Sequence, residues 1–297
     1  MTKLKVALIV KGSRSNYDRD GRNMGYWSYA VDEFEWDHFH FGNNFHADKK
    51  KFHNYDLIFM EDGGNWGHWA GTGPPVAFMA IDGTLSKAHY QIRREQARRS
   101  DITFVDHNEL HLFPRSHRLN YCVNDLVFKP REKKLDVSFH CASGARKGFP
   151  GGRERVDIRQ ALNEIAIKNG WSYTSGVLGL EEYAANMGES RVIVNWPRTP
   201  SNRPHRIFDG MACKAAICTG VIPEVSGDKI TPSLHYADYY HNEQIGWKDL
   251  SRRLETLFAD DNWRMVADTG YKLVMSEHTW KIRAPQLRQI LRKELGL

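Results

Sequence analysis

No stretch of eighteen apolar residues occurs in the 297-residue sequence, so a membrane-spanning helix has no candidate. Cysteine is scarce. The four present (Cys122, Cys141, Cys213 and Cys218) lie in or beside apolar segments without metal-ligand spacing. This argues against a disulfide framework or a structural zinc site and for reduced, mostly buried thiols in a cytoplasmic protein. The opening MTKLKVALIV runs straight into a strand pattern with no cleavage motif, so no signal peptide is expected. Short-period repeats and low-complexity tracts are missing too. One acidic triplet, Asp18-Arg19-Asp20, has the metal-binding DxD spacing, but it falls in a loop where such a triplet arises readily by chance. An acidic excess is also lacking: 42 Lys and Arg against 36 Asp and Glu give a net charge of +6 and a pI near 9.0. That balance permits a polyanionic partner without requiring one. The basic residues are spread along helices and read first as solvated faces.

What is there supports real cores: 41% hydrophobic and 12% aromatic residues, in a chain long enough for two modest domains or one large one. The stretch from Ser190 to Gly220, SRVIVNWPRTPSNRPHRIFDGMACKAAICTG, organises the rest. Residues 191–195 form a β-branched run typical of a buried parallel strand. The polar, Pro-rich residues 196–204 break it. Residues 206–213 have helical spacing, with Ile207, Met211 and Cys213 facing inward and Arg206 and Asp209 sharing the other side. A second apolar strand spans residues 215–219. A helix therefore starts just past a strand's carboxyl end with Arg203, His205 and Arg206 in its first turn. Such a start offers N–H groups, and the arginines add bidentate phosphate recognition. The plain alternative is an exposed helix with an i, i+3 ion pair.

Elsewhere, strands are expected at residues 5–10, 37–41, 56–62, 76–82 and 102–106, with helices at 25–34 and 86–99. A polar, charged linker is expected at 127–134. The pattern then restarts with strands at 136–142 and 171–174 and helices at 154–169 and 180–187. An aromatic stretch at 235–240 precedes three closing helices at 247–258, 261–275 and 279–294. The alternation predicts an α/β protein with two Rossmann-like parallel-sheet domains facing across a cleft. The expected division is 1–130, 131–276, and a last helix, 277–297, packing back towards the first domain.

The second half resembles the C-terminal domain of GT-B glycosyltransferases, in particular the spore-maturation CgeB-like branch. The likeness rests on DVSFHCA with its following glycines and Arg146, on EEYAANMGESRVIVNW, on NRPHRIFDGMACKAAICTG and on SEHTWKIRAPQL. The first half matches loosely, through VAFMAIDG, QIRREQA and SDITFVDHNE. The resemblance implies a nucleotide-sugar donor, UDP-sugar first, held by the second domain, with an acceptor over the first and no obligatory metal or other cofactor. Asp209 stands where the family has a glutamate that holds the donor ribose. Arg206 matches the arginine that approaches the diphosphate, and Arg146, Asn202 and Lys214 are further donor-binding candidates.

Glycosyl transfer needs a base opposite the donor carbon and positive charge facing the departing diphosphate. Asp82, at a strand's carboxyl end before Gly83, is the first choice for base, and Asp62 beside Glu61 the second. Either carboxylate could instead cap a loop. His68, His107 and His140 read as satisfied polar residues. The loop at 63–75, with Trp66, His68 and Trp69 among glycines, is read as an acceptor platform rather than as gap-filling. Three functions stand: a glycosyltransferase on a carbohydrate or small-molecule acceptor, one acting on a hydroxymethylated base in DNA, and an inactive nucleotide- or sugar-binding relative.

Overall fold

The computed structural model of the protein describes residues 2–11, 32–41, 45–61, 67–80, 87–105, 110–119, 122–141, 152–197, 204–222, 229–242 and 244–297. The chain divides into two compact units, residues 1–122 together with 280–297, and residues 123–279.

The first unit is built on strands β1 (Leu4–Lys11), β2 (Phe34–Phe41), β4 (Leu57–Glu61), β6 (Val76–Ala80), β7 (Ile102–Val105) and β8 (Ser116–Arg118). They form one sheet in the order β2-β1-β4-β6-β7-β8 with every pairing parallel. Residues on both faces are buried: Ala7, Ile9, Ile58, Met60 and Phe78 on one side, Val6, Leu8, Phe59, Met79 and Phe104 on the other. Burial of both faces is why these strands read as continuous apolar runs. Helix α1 (Lys87–Arg98) connects β6 to β7. Asp101 fixes this junction, its Oδ2 accepting from Val76 N at 2.8 Å and from Lys49 Nζ at 3.4 Å.

Two local expectations need correction. The helix expected over residues 25–34 does not reach Phe34, which opens β2 opposite Leu4 and is 1% exposed. Ladder pairing and the Phe34–Trp36 ring contact at 5.0 Å override the local helical pattern there. Residues 25–31 lie outside the described ones. In the glycine-rich loop, residues 67–70 form a strand, β5 (Gly67–Ala70), pairing in parallel with β3 (Phe45–Asp48). Trp69 packs edge-on against Phe52 at 5.8 Å and joins the first core. It is therefore a packing residue, while Trp66 lies outside the described residues.

The second unit carries β9 (Leu135–His140), β10 (Tyr173–Gly176), β11 (Ser190–Asn195), β12 (Ala216–Gly220) and β13 (Ala237–Tyr239), again all parallel, in the order β10-β9-β11-β12-β13. The tenth strand begins two residues later than expected, because Trp171 is drawn against Phe258 (rings 4.4 Å apart) and Ser172 is locked to Asp136. Asp136 also takes Arg191 Nη1 at 2.6 Å, so one carboxylate ties the starts of three strands. Helices α2 (Gly152–Asn169), α3 (Leu180–Glu189), α4 (Arg206–Ala212), α5 (Lys248–Phe258) and α6 (Asn262–Glu277) complete the unit. The charged segment at residues 127–134 is held here: Arg131 N donates to Gly188 O at 3.3 Å and Lys134 N to Glu189 O at 2.9 Å. Helix α7 (Trp280–Leu295) belongs to the first unit, burying Ala284, Leu287 and Leu291 and reaching Thr2 O from Arg288 at 3.2 Å.

Helix α4 packs against both the sheet and α6. A Cβ on Gly210 would sit 2.5 Å from Ile217 Cδ1 and 2.9 Å from Ile193 Cδ1, and one on Gly270 of α6 would sit 3.0 Å from Met211 Cγ. Glycine at both places lets the helix be clamped from two sides. As a result every residue from Ile207 to Ala212 is buried.

Candidate functional site

In the second unit the strand order reverses between β9 and β11, which marks where an open α/β sheet accepts ligands, outside the carboxyl ends of its strands. The side chains there form one connected network. Asn195, the last residue of β11, is fully buried. Its Oδ1 accepts from Arg206 Nη1 at 2.7 Å, and its Nδ2 donates to Thr219 Oγ1 at 2.8 Å. Its carbonyl accepts from the Tyr239 hydroxyl at 2.9 Å, and Thr219 Oγ1 donates in turn to Gly220 O at 2.9 Å. Three neighbouring strand ends thus hold one arginine. Burial pushes the Tyr239 phenol well above its ordinary pKa, so it stays a hydrogen-bond donor.

The chemistry of this arrangement lies in its charge. Arg206 is anchored by a neutral amide, and no carboxylate pairs with it among the described residues. Its Nε is buried without a hydrogen-bond partner there. A guanidinium fixed in direction but not neutralised can take a bidentate anion such as a diphosphate.

The helix start contributes less than its sequence suggests. Helix α4 has seven residues, and Ile207 N and Asp209 N already bond to Pro204 O and His205 O at 3.0 Å each. The anion-binding weight therefore falls on the Arg206 side chain.

The structure separates the predicted residues. Asp209 does not share an exposed face with Arg206; it is fully buried. It lies close enough to Cys213 to help burial raise that thiol's pKa. Lys214 sits at the far end of α4, about 12 Å along the helix axis from Arg206. There it adopts φ 53° and pairs with Asp268 at 2.9 Å. A helix following a parallel strand runs back to the strands' amino ends, so the structure does not bring Lys214 to the network. Arg146, Asn202, Asp62 and Asp82 lie outside the described residues, as does His107. His68 is engaged by Arg99, and His140 is buried edge-on against Tyr183 at 5.8 Å.

Two features of this end were not singled out from sequence. Arg159 of α2 reaches back to the end of β9, donating to Cys141 O at 2.8 Å; one arginine inside a regular helix gives no local signal of this. Beside β11 and β13, Trp196 meets Tyr239, His241 and Trp247 at 5.4–6.3 Å, with His241 stacked on Trp247 at 3.9 Å. The clue was a tryptophan directly after a buried strand. Among the described residues no group of His, Cys, Asp and Glu is arranged to hold a metal ion, and no helix is long and apolar enough to cross a membrane.

No family model matches the sequence, and no curated protein matches it. Solved structures share its fold from end to end. HepE of Anabaena, in complex with UDP and glucose, superposes with a TM-score of 0.67 at 9% identity, covering 98% of this chain and 100% of its own. The sucrose-phosphate synthase of Thermosynechococcus elongatus gives 0.63 at 13% identity, covering 99% and 100%. An alpha-glucosyltransferase in complex with UDP-glucose and DNA containing an abasic site gives 0.60 at 9% identity, covering 98% and 100%. The protein therefore has an α/β fold with parallel sheets whose structural neighbours are GT-B glycosyltransferases. At these identities the likeness is one of fold, and it does not reach down to the spore-maturation branch.

Proposed function

We propose that the protein is a glycosyltransferase that moves a sugar from a UDP-sugar to a hydroxyl acceptor. The observation that carries this is the Arg206 guanidinium, held by Asn195 at the carboxyl ends of a parallel sheet and left without a carboxylate partner among the described residues. Support comes from structural neighbours crystallised with UDP, UDP-glucose or glucose. In this reading the second unit binds the donor and the first receives the acceptor. Arg206 faces the diphosphate and Asp209 takes the ribose, with Arg146 and Asn202 as further donor contacts. The acceptor oxygen bonds to the anomeric carbon as the bond from that carbon to the diphosphate oxygen breaks. The electron pair leaves with UDP, where positive charge stabilises it, and the hydroxyl proton passes to a carboxylate. Asp82, two residues past the end of β6, is the proposed base, and Asp62 the alternative. No metal ion is assigned a role.

The basic balance of the chain and the arginine-rich helix α1 favour a second, narrower reading, in which the acceptor is a hydroxymethylated base in DNA.

Thermal shift against UDP-, ADP- and GDP-sugars tests the donor assignment, since a ligand bound only by the folded state raises apparent stability. UDP-sugars should stand out, and Asp209→Ala should weaken their binding by about 1.5–3 kcal/mol, the scale of a charge-assisted hydrogen bond. No shift with any donor would overturn the reading. Shift without donor hydrolysis or transfer would leave a binding protein. Asp82→Asn should retain the shift and slow transfer by roughly a hundredfold.

A further inference from the structure

We infer that the outward face of helix α1 is a docking surface for the phosphate backbone of a nucleic-acid duplex. This deepens the acceptor side of the reading above and rests on it for its functional meaning. The helix buries Arg93, Gln96 and Ala97 and turns Gln91, Arg94 and Arg98 to solvent. An open groove of about 470 Å³ runs along it, lined by Tyr90, Gln91, Arg94, Glu95 and Arg98. Its one carboxylate is already engaged: Glu95 Oε1 takes Arg99 Nη2 at 2.9 Å and Nε at 3.0 Å, and Oε2 lies 3.6 Å from Arg98. Arg94 has no carboxylate partner among the described residues. Exposed Arg115 joins the row, its Nη2 donating to Arg98 O at 3.2 Å from a residue at φ 49°, a backbone state that few side-chain-bearing residues adopt.

Four guanidiniums against one carboxylate on one face is more positive charge than helix design calls for. Arg98, Arg99 and Arg115 can be read as compensating the negative end of the helix. Arg94 cannot, since it lies a full turn inside, and its like-charge neighbour at i+4 costs the helix about 0.2–0.5 kcal/mol. A polyanion removes that repulsion. The shape selects among polyanions. The groove is open and lacks the enclosed, converging donors that a single small anion needs. Arg94 and Arg98 stand about 6 Å apart along the axis, a row of planar forks suited to successive phosphates. Such contacts position a duplex without reading its sequence.

The test is fluorescence anisotropy of the full chain on a duplex of about 20 base pairs, between roughly 50 and 200 mM salt. Wild type should bind with a steep dependence on salt. Arg94→Glu with Arg98→Glu should weaken binding at least tenfold and lower the log–log slope by about two, one phosphate each. A matched double reversal on exposed lysines of the second unit, Lys248→Glu with Lys272→Glu, should leave affinity within threefold. Equal loss in both variants, unchanged binding in the arginine variant, or failure of unlabelled duplex to compete with heparin would each overturn the inference. The UDP-sugar thermal shift is read on the same preparations. A shift kept in all proteins while duplex binding ignores Arg94 and Arg98 sinks the docking surface alone. Duplex binding lost with those arginines, and no shift in any protein, sinks the donor reading alone.

Discussion

Asn195 shows how much one neutral side chain can decide. It fixes Arg206 while leaving its charge available, because an amide oxygen accepts a proton bond without contributing a negative charge. Asn195→Asp keeps the size and the contact but supplies that charge. The result is a buried ion pair already satisfied in the folded protein. We expect this variant to fold and to bind UDP-sugar at least tenfold more weakly, measured by titration calorimetry, with the loss in affinity rather than in the rate at saturation. Asn195→Ala should behave differently, losing about 1–3 kcal/mol of stability as Thr219 and Arg206 lose a buried partner. Donor affinity in Asn195→Asp equal to wild type would show that Arg206 does not meet the donor.

At the scale of elements, α4 is placed by close packing rather than by helix propensity. Seven residues are too few to hold a helix by themselves, so packing against the sheet and α6 must do it. Gly210→Ala sets two effects against each other. Removing glycine from a helix gains about 1 kcal/mol, whereas overpacking a full core costs about 1–3 kcal/mol. Ile217 and Ile193, the side chains in the way, are both completely buried and have little room to move. The net effect should be destabilising, read as a lower denaturation midpoint at unchanged m-value. A midpoint at or above that of wild type would mean that α4 can shift outward. Donor affinity should fall with it, since any shift of α4 carries Arg206.

For the molecule as a whole, the segment that enters the second unit is closed by a lysine. Lys133 Nζ donates to Gly188 O at 2.8 Å and Cys213 O at 2.9 Å, joining the entry segment to the ends of α3 and α4. Burial, with Lys214 nearby, lowers its pKa to about 8. The unfolded chain, with an ordinary lysine near 10.4, binds more protons between those values, so stability rises with pH across that window. Below about pH 8 the cost of the buried charge is fully present. The stability of wild type relative to Lys133→Met should therefore increase between pH 8 and 10, followed by urea denaturation at each pH. A constant difference would mean that the ammonium is solvated.

Much was legible in the sequence because it is local. The β-branched run ending at Asn195, the polar break after it and the apolar face of Ile207 and Met211 specify a strand–loop–helix unit through period and turn chemistry alone. The continuous apolar strands likewise imply parallel sheets buried on both faces. What touches what across the fold was not legible. Asp209 and Lys214 look equally polar along the chain, yet one is fully buried and the other pairs with Asp268 at the opposite end of the helix. Phe34 fitted a helix until its pairing with Leu4 made it a strand, and Trp69 fitted a loop until Phe52 took it into the core. Arg159 and the aromatic group around Trp196 gave little sign because their partners are distant in sequence. Periodicity records which side of an element is apolar. Which polar residue stands at a strand's end with its charge unspent depends on long-range packing, and only the tertiary structure decides that.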